Sequence, residues 1–421
     1  MPALSLLPSP IDTACLARLP GVAPVRYTAR EAISSTAAPL TLEFVDNRLA
    51  FDALETEWCA LFERAGRPEQ VFQSFGWLWH WCNHFLDPQT RNQSLAVVTG
   101  RRNGTLVLAC PFIVTRGRGL ATLTFMGDPV RQYGDVVIED GPDAASDLRA
   151  AFDYLLREAN ADLLHLRKVR ADAAIAPLMR ELGAAVSDVQ QAPYVAFDGA
   201  TDYAVFEQRY AKSARKNRKR QLRRLHELGD LAFERPSPGQ EAREAAAAAL
   251  KLKRNWLRER GLVSAAVTDV RTQDFFRDCV SGDGPGTGVA IAVIKSNGDV
   301  AAAEISVHCK GHIAVHLIAY DARFEKTGAG ALLMEDSVRR ACHTGKSVVD
   351  LLAPGADYKF EWADRAIAVT DWVLGLSPAG RLFGSVYVCR IRPAAKALLE
   401  RLPPLVRRRL SMFASAAALS Q

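Results

Sequence analysis

The chain has 421 residues, 49% hydrophobic and 24% charged, with 28 Gly and 21 Pro, a balance that excludes wholesale disorder and a fibrous repeat. No run approaches the roughly 18 consecutive apolar residues that cross a bilayer, and the opening MPALSLLPSP lacks a cationic segment ahead of an unbroken apolar stretch, so a cytoplasmic location is expected. The formal net charge of +6 is modest, but the positive residues concentrate in one segment. The eight cysteines form no CxxC pair, which argues against a disulfide framework or a zinc knuckle.

In chain order, residues 1–39 are rich in Pro, Ala and Ser without a sustained period and are expected to be a disordered leader. Leu40–Asp46 alternates like a strand, and Leu54, Trp58, Leu61 and Phe62 recur at helical spacing. A second helix carries Trp77, Trp79 and Trp81. Strand-like runs follow at 95–99, 106–114 and 135–139, separated by Asn103-Gly104 and Gly117–Gly119. Helix 145–160, strand 162–166 and helix 173–182 complete a first lobe over residues 40–192.

A second lobe, residues 193–390, repeats this grammar. It holds a strand at 194–197, a long helix from about 203 to 228, a strand at 231–234 and helices at 241–260 and 272–280. Three strands, 289–295, 300–309 and 312–320, are joined by the tight turns Asn297-Gly298 and Lys310-Gly311. A helix from Gly328 to Thr344, a buried strand at 347–352 and a loop to Trp362 follow, and residues 391–421 read as a basic helical tail broken at Pro403-Pro404. The expectation is an α/β (α+β) protein of two similarly built lobes, each a mixed, mostly antiparallel sheet flanked by helices.

Two segments carry chemistry. In Tyr320–Ala363, a strand ends, Gly328-Ala329-Gly330 follows, and a helix begins with Leu332, Leu333, Val338 and Cys342 as its buried stripe. Exposed amides at such a helix start attract a phosphate or diphosphate. Gly345-Lys346-Ser347 mimics the end of a phosphate loop but lies at a helix end, and Gly282–Gly288 precedes a strand, so the latter reads as a flexible loop or lid. The second segment, Lys212–His226, holds eight cations and no acid. Eight like charges on four turns repel one another, so the segment is either a solvated helix face or a site for an anionic, phosphate-bearing partner. His80, Cys82 and His84 lack a completing carboxylate, and no metal is expected. Side chains able to take or give a proton lie along the three strands and in the loop after the buried strand. Glu304, His316, Asp321 and Asp350 are candidate bases, Tyr358 a candidate proton donor and Lys359 a candidate contact for an acceptor phosphate.

The ordered elements Tyr320-Asp321, Gly328–Leu333, Gly345–Asp350 and Tyr358-Lys359 resemble the signature of the CelD-type acetyltransferases of the GNAT superfamily, related to the FemABX transferases. Upstream, Glu57-Trp58, Phe72-Gln73, Trp77, Trp81, Ala109–Pro111, Met126-Gly127 and Tyr133–Asp135 extend the resemblance over residues 40–388. It implies two tandem GNAT-like lobes, the first without a donor loop. It implies acetyl-CoA or another acyl-CoA as co-substrate, no metal, and a donor site formed by Tyr320, Lys326, Thr327, Gly328, Ala329, Gly330 and Ala331. Catalysis then falls to Asp350, Tyr358, Lys359, His316 and Glu304, and the acceptor to Trp77, Tyr133, Asp135, Arg215, Arg218 and Asp321. The family's Ser-Pro-Gly loop reads Thr327-Gly328-Ala329-Gly330 here, and Glu325 stands where Gln or Arg is usual; its charge is expected to point away from a diphosphate. The implied acceptor is a sugar-linked or small-molecule amine or hydroxyl, with a link to cellulose or exopolysaccharide synthesis. Two other readings stand beside this one. One is a FemABX-like transferase that takes an aminoacyl group from tRNA. The other is a non-catalytic module that contacts a synthase complex or a membrane through Arg407–Arg409 and the apolar run behind them.

Overall fold

The alternation and turns of the two meanders dictate the framework, and the computed structural model contains both. It describes residues 38–86, 92–117, 119–262 and 264–401, which pack as one unit. The leader up to residue 37 and the Arg407–Arg409 cluster lie outside the described residues.

The first half runs β1 (Thr41–Val45), α1 (Glu55–Ala65), α2 (Phe75–Phe85), β2 (Gln93–Arg102), β3 (Thr105–Gly117), β4 (Leu120–Phe125), β5 (Val137–Ile138), α3 (Ala144–Ala159), β6 (Leu163–Arg170) and β7 (Ala185–Ala196). The second runs α4 (Lys212–His226), β8 (Leu231–Glu234), α5 (Gln240–Glu259), α6 (Val270–Cys279), β9 (Val289–Ser296), β10 (Asp299–Cys309), β11 (His312–Tyr320), α7 (Ala329–His343), β12 (Val348–Asp350) and β13 (Arg365–Gly375). Each half holds an antiparallel meander, β2-β3-β4 or β9-β10-β11, then a helix and a strand parallel to the last meander strand.

The strands form one sheet in the order β1-β2-β3-β4-β6-β13-β7-β12-β11-β10-β9-β8, with β5 on β3. β13, late in the chain, crosses back to pair with both β6 and β7. This closure hides from local periodicity, because both faces of the inserted strand have neighbours far away in sequence. Likewise β7 reaches back to Ala185, well before the strand expected at 194–197, since β13 pairs along that stretch.

Between the halves, α2 is apolar on most of its circumference and buries Phe75, Trp77, Leu78, Trp81 and Phe85, the mark of a helix packed on several sides. Trp77 meets Phe275 of α6 edge-on at 5.0 Å. The Gly282–Gly288 loop is fastened to α2, which corrects the expectation of a free lid. A Cβ at Gly76 would lie 2.1 Å from the Gly286 carbonyl, His80 Nε2 lies 3.2 Å from the Pro285 carbonyl, and His84 Nε2 lies 2.7 Å from Asp278. His80 and His84 thus both face the segment that follows α6 and its last turn.

Lys310, in the β10–β11 turn, donates to the carbonyls of Phe62, Glu63 and Gly66 at 2.7, 2.8 and 2.7 Å. An ammonium at the carbonyl end of α1 matches the helix dipole. Lys310→Met is expected to lower unfolding free energy by about 1–2 kcal/mol, less than the sum of three isolated bonds because the site is open to water. Urea titration measures the loss, and an unchanged midpoint would rule out the cap.

Candidate active site

β11 and β12 pair only at their beginnings, from His312↔Val348 to Ala314↔Asp350. Beyond Val315 and Leu351 the two parallel strands part, and a cavity of about 310 Å³ opens where they diverge. Its walls come from Val315–Ile318 of β11, Leu351–Pro354 after β12, Leu250 and Lys253 of α5, Phe276 of α6, and Val130 and Gln132 of the first half.

A bulge shapes the β11 wall. Ile305 of β10 opposes Leu317 while Ser306 opposes Val315, so His316 is the extra residue. A bulge leaves its added residue outside the ladder and re-aims the neighbouring side chains. His316 Nε2 lies 2.6 Å from the Val130 carbonyl and 3.2 Å from the Gln132 amide nitrogen. A carbonyl only accepts, so Nε2 carries the proton and, in the neutral ring, Nδ1 carries the lone pair. That Nδ1 is buried without a partner among the described residues. Burial among Phe276, Trp77 and the β11 backbone pushes the imidazole down to about 4, against the smaller upward pull of the Val130 carbonyl. His316 is thus a neutral imidazole in the cavity wall.

Lys359 and Tyr358 line the opposite side. Lys359 Nζ donates to the carbonyls of Leu352 at 2.8 Å and Pro354 at 2.9 Å. These bonds pin the loop that carries β12 away from β11 and leave one of three N–H groups for a ligand. Burial lowers the ammonium to about 8, with Asp350 opposing the shift and Lys253 adding to it. Tyr358, 58% exposed, sits at the mouth.

The start of α7 adjoins this cavity through Ile318. A Cβ at Gly330 would lie 3.0 Å from the Tyr320 ring and 3.6 Å from Ile318, and Ile318 lines the cavity. Gly328 is the N-cap at φ +70°, in the left-handed region, and no side chain caps the first turn. Gln221 of α4 lies across Gly328, where a Cβ would be 2.4 Å from its amide nitrogen. Glu325 pairs with Arg260, whose guanidinium stacks on Trp256 at 4.4 Å from the ring centroid. Tyr320 OH accepts from Trp256 Nε1 at 3.2 Å and lies 3.4 Å from Glu325. Lys326 is exposed, whereas the Thr327 hydroxyl is buried and bonded to the Phe324 carbonyl at 2.6 Å, which removes it as a ligand contact.

Several expected site residues lie elsewhere. Glu304 faces a separate cavity on the α7 face of the sheet, because the β10 alternation sends Ala303 and Ile305 to the core and Glu304 to α7. It accepts from Ser337 Oγ at 2.9 Å, and burial raises its carboxyl to about 7. Between about 4.5 and 7 the folded state holds a proton that the unfolded chain has lost, so stability falls as pH rises through this window. Denaturant titrations should show the difference between wild type and Glu304→Gln growing by about 3 kcal/mol across the window. A constant difference would mean that Glu304 is ionised throughout.

Asp350 is buried and fully engaged. It accepts from Tyr133 OH at 3.0 and 2.9 Å, from Arg170 at 3.2 Å and from Leu352 N at 2.8 Å, which fixes the first half to β12. Asp135 accepts from Gln70, Arg67 and the amides of Ala174 and Ile175. Trp77 is core behind His316, at 6.2 Å between ring centroids. Asp321 caps the turn before α7 and pairs with Arg323 at 3.0 Å. Arg218 is buried against Trp362 and Tyr210 and donates to Glu335 at 3.0 Å, and Arg215 donates to Gln208 at 2.8 Å. None of these six lines the cavity at the strand divergence. The outer face of α4 still presents Lys212, Lys216, Lys219, Arg220, Arg223 and Arg224, all exposed and without an ion-pair partner among the described residues.

The sequence reading missed Gln132, Val130, Lys253 and Gln221. Gln221 had a signal, three residues after Arg218 and four before Leu225 on the inward face of α4. The others come together only through the tertiary fold.

Residues 212–360 match the model of the acetyltransferase (GNAT) domain. No curated protein sequence matches the chain. Among solved structures, the chain is similar to the crystal structure of FemX, with TM-score 0.56 at 10% identity over 79% of this chain and 98% of that one. It is similar to a conserved protein of unknown function from Bacteroides thetaiotaomicron VPI-5482, with TM-score 0.50 at 12% identity over 79% and 100%. A tandem GNAT protein from the clavulanic acid biosynthesis pathway aligns with TM-score 0.44 at 14% identity over 80% and 99%. The matched residues include β11, the start of α7, β12, Tyr358 and Lys359, and the likeness to FemX, at 10% identity, is one of fold. Among the described residues no group of His, Cys, Asp or Glu is arranged to hold a metal, and no helix is long and apolar enough to cross a membrane.

Proposed function

We propose that the protein is an acyl-CoA-dependent acyltransferase, with acetyl-CoA as donor and a sugar-linked or small-molecule amine or hydroxyl as acceptor, of the CelD-like type that serves cellulose or exopolysaccharide synthesis in the cytoplasm. One observation carries the reading: a cavity at the parting of two parallel strands, with a bulged, neutral histidine in its wall and an uncapped helix start beside it. Acyl-CoA supplies an activated thioester carbonyl. The amides opening α7 at Ala329, Gly330 and Ala331 meet the diphosphate, with Lys326 adding charge. His316 Nδ1 takes the acceptor's proton as the new C–N or C–O bond forms. The Lys359 ammonium, near 8 and so close to a thiol's own range, returns a proton to the departing sulfur as the C–S bond breaks. Tyr358 stands where the acceptor enters.

The corresponding helix of the first half supports a single donor site. α3 follows the N-cap Asp143 and has Asp147 in its first turn, and Arg102 pairs with both, at 3.5 and 2.7 Å, so that helix start is taken up by the protein's own ion pairs.

Acetyl-CoA is expected to raise the melting temperature of the full chain, and Lys326→Glu, on an exposed side chain, is expected to weaken that effect at least tenfold in concentration. Gly328→Glu should abolish it. An equal shift in all three proteins would overturn the donor assignment. The six exposed cations of α4 favour a second reading, a FemABX-like transfer from aminoacyl-tRNA; salt-sensitive tRNA retention without any response to acetyl-CoA would select it.

A further inference from the structure

The second cavity, about 250 Å³, lies between β9, β10 and α7, on the opposite side of the sheet from α5 and α6. Its floor is polar and buried: Glu304, Ser306 and Ser337 are 2%, 3% and 6% exposed. Neither the family match nor the proposed acyl transfer requires a carboxyl there, and Glu304 replaces what would otherwise be one more apolar contact under α7. Its side-chain partners are hydroxyls, those of Ser337, whose Oγ donates at 2.9 Å, and Ser306. Arg235 is the cation nearest to it, but Arg235 pairs with Asp336 at 2.6 Å.

The rim has the opposite character. Arg340 stands one helical turn beyond Ser337 on α7, and Lys346 follows the end of that helix. Both line the cavity, and neither has an ion-pair partner among the described residues. His308, whose Nε2 lies 3.1 Å from Ser306 Oγ, feels the positive charge of Lys346 and Arg235. Two uncompensated cations over a floor of one carboxyl and two hydroxyls form a site with two chemically distinct ends.

We propose that this cavity binds a small hydroxylated oxyanion, its phosphate or carboxylate held by Arg340 and Lys346 and its hydroxyls bonded to Glu304 and Ser306. A bare anion satisfies only the rim and a neutral polyol only the floor, so a ligand with both groups binds best. The site is separate from the acyl cavity and shares with it β11, through Ile313, and α7, whose last turn carries Arg340 and His343.

Isothermal titration of the full chain with glycerol 3-phosphate tests this, with inorganic phosphate and glycerol as partial probes. The expected result is saturable binding of glycerol 3-phosphate, at least tenfold tighter than inorganic phosphate and undetectable for glycerol, reduced at least tenfold in Arg340→Glu and Lys346→Glu. Both variants change rim side chains and should keep the wild-type melting temperature and its response to acetyl-CoA. Binding that survives either substitution overturns the proposal. So does inorganic phosphate binding as tightly as glycerol 3-phosphate, or displacement of glycerol 3-phosphate by CoA, which would place it at the donor turn.

Discussion

His316→Gln is expected to lower kcat for acetyl transfer by 10²–10⁴ while the melting-temperature response to acetyl-CoA stays as in wild type. Glutamine can still donate to the Val130 carbonyl that now holds Nε2 at 2.6 Å, so the bulge keeps its anchor. What disappears is the buried, unpartnered Nδ1 lone pair, and general-base catalysis is worth a factor of this size. The pH profile separates the base from a structural role. With His316 pushed down to about 4 and Lys359 to about 8, the active form has the imidazole neutral and the ammonium charged. Wild-type kcat/KM should rise through about 4, stay level, and fall through about 8. His316→Gln should lose the acid limb and Lys359→Met the alkaline one. An unaltered profile in His316→Gln would remove the imidazole from the chemistry.

Asp350→Ala is expected to show the largest loss of stability, about 3–5 kcal/mol by urea unfolding. The carboxylate sits between Tyr133, stacked under the Arg170 guanidinium at 5.0 Å, and the Leu352 amide. Removing it takes one counter-charge from a guanidinium that is only 8% exposed and leaves the Tyr133 hydroxyl and the Leu352 amide without their acceptor, and breaking a buried pair in this way costs about this much. Asp172, at 2.9 Å on the other edge of Arg170, keeps the loss from being larger. A drop below about 1 kcal/mol would contradict the anchoring role. Asp350→Asn then distinguishes anchor from catalyst. An anchor loses part of the stability and retains transfer in the folded fraction, whereas a catalytic carboxylate would lose transfer with the fold intact.

The sequence-level reading of Asp350 as catalytic shows where periodicity stops being informative. A carboxylate at the end of a buried strand signals a crevice in parallel sheets, yet which side of the crevice it serves depends on Tyr133 and Arg170, more than 170 residues away. The meander was legible because Asn297-Gly298 and Lys310-Gly311 both adopt the left-handed angles their turns require. The start of α7 was legible for the same reason, through Gly328. His316 could be named but not placed, since nothing local distinguishes a bulge from regular alternation. Glu304 was assigned to the same chemistry although neighbouring strand residues face opposite sides of the sheet, and it belongs to the cavity under α7. The insertion of β13 between β6 and β7 joins residues about 200 positions apart, which no pattern along the chain records.

The central claim is that the gap between β11 and β12 receives the acyl donor. A crystal structure of the full chain grown with a non-hydrolysable acetyl-CoA analogue tests it most directly. The diphosphate is expected within hydrogen-bond distance of the amides of Ala329, Gly330 and Ala331, and the acyl carbonyl beside His316. A diphosphate lodged elsewhere, or a gap left empty at saturating analogue, would contradict it.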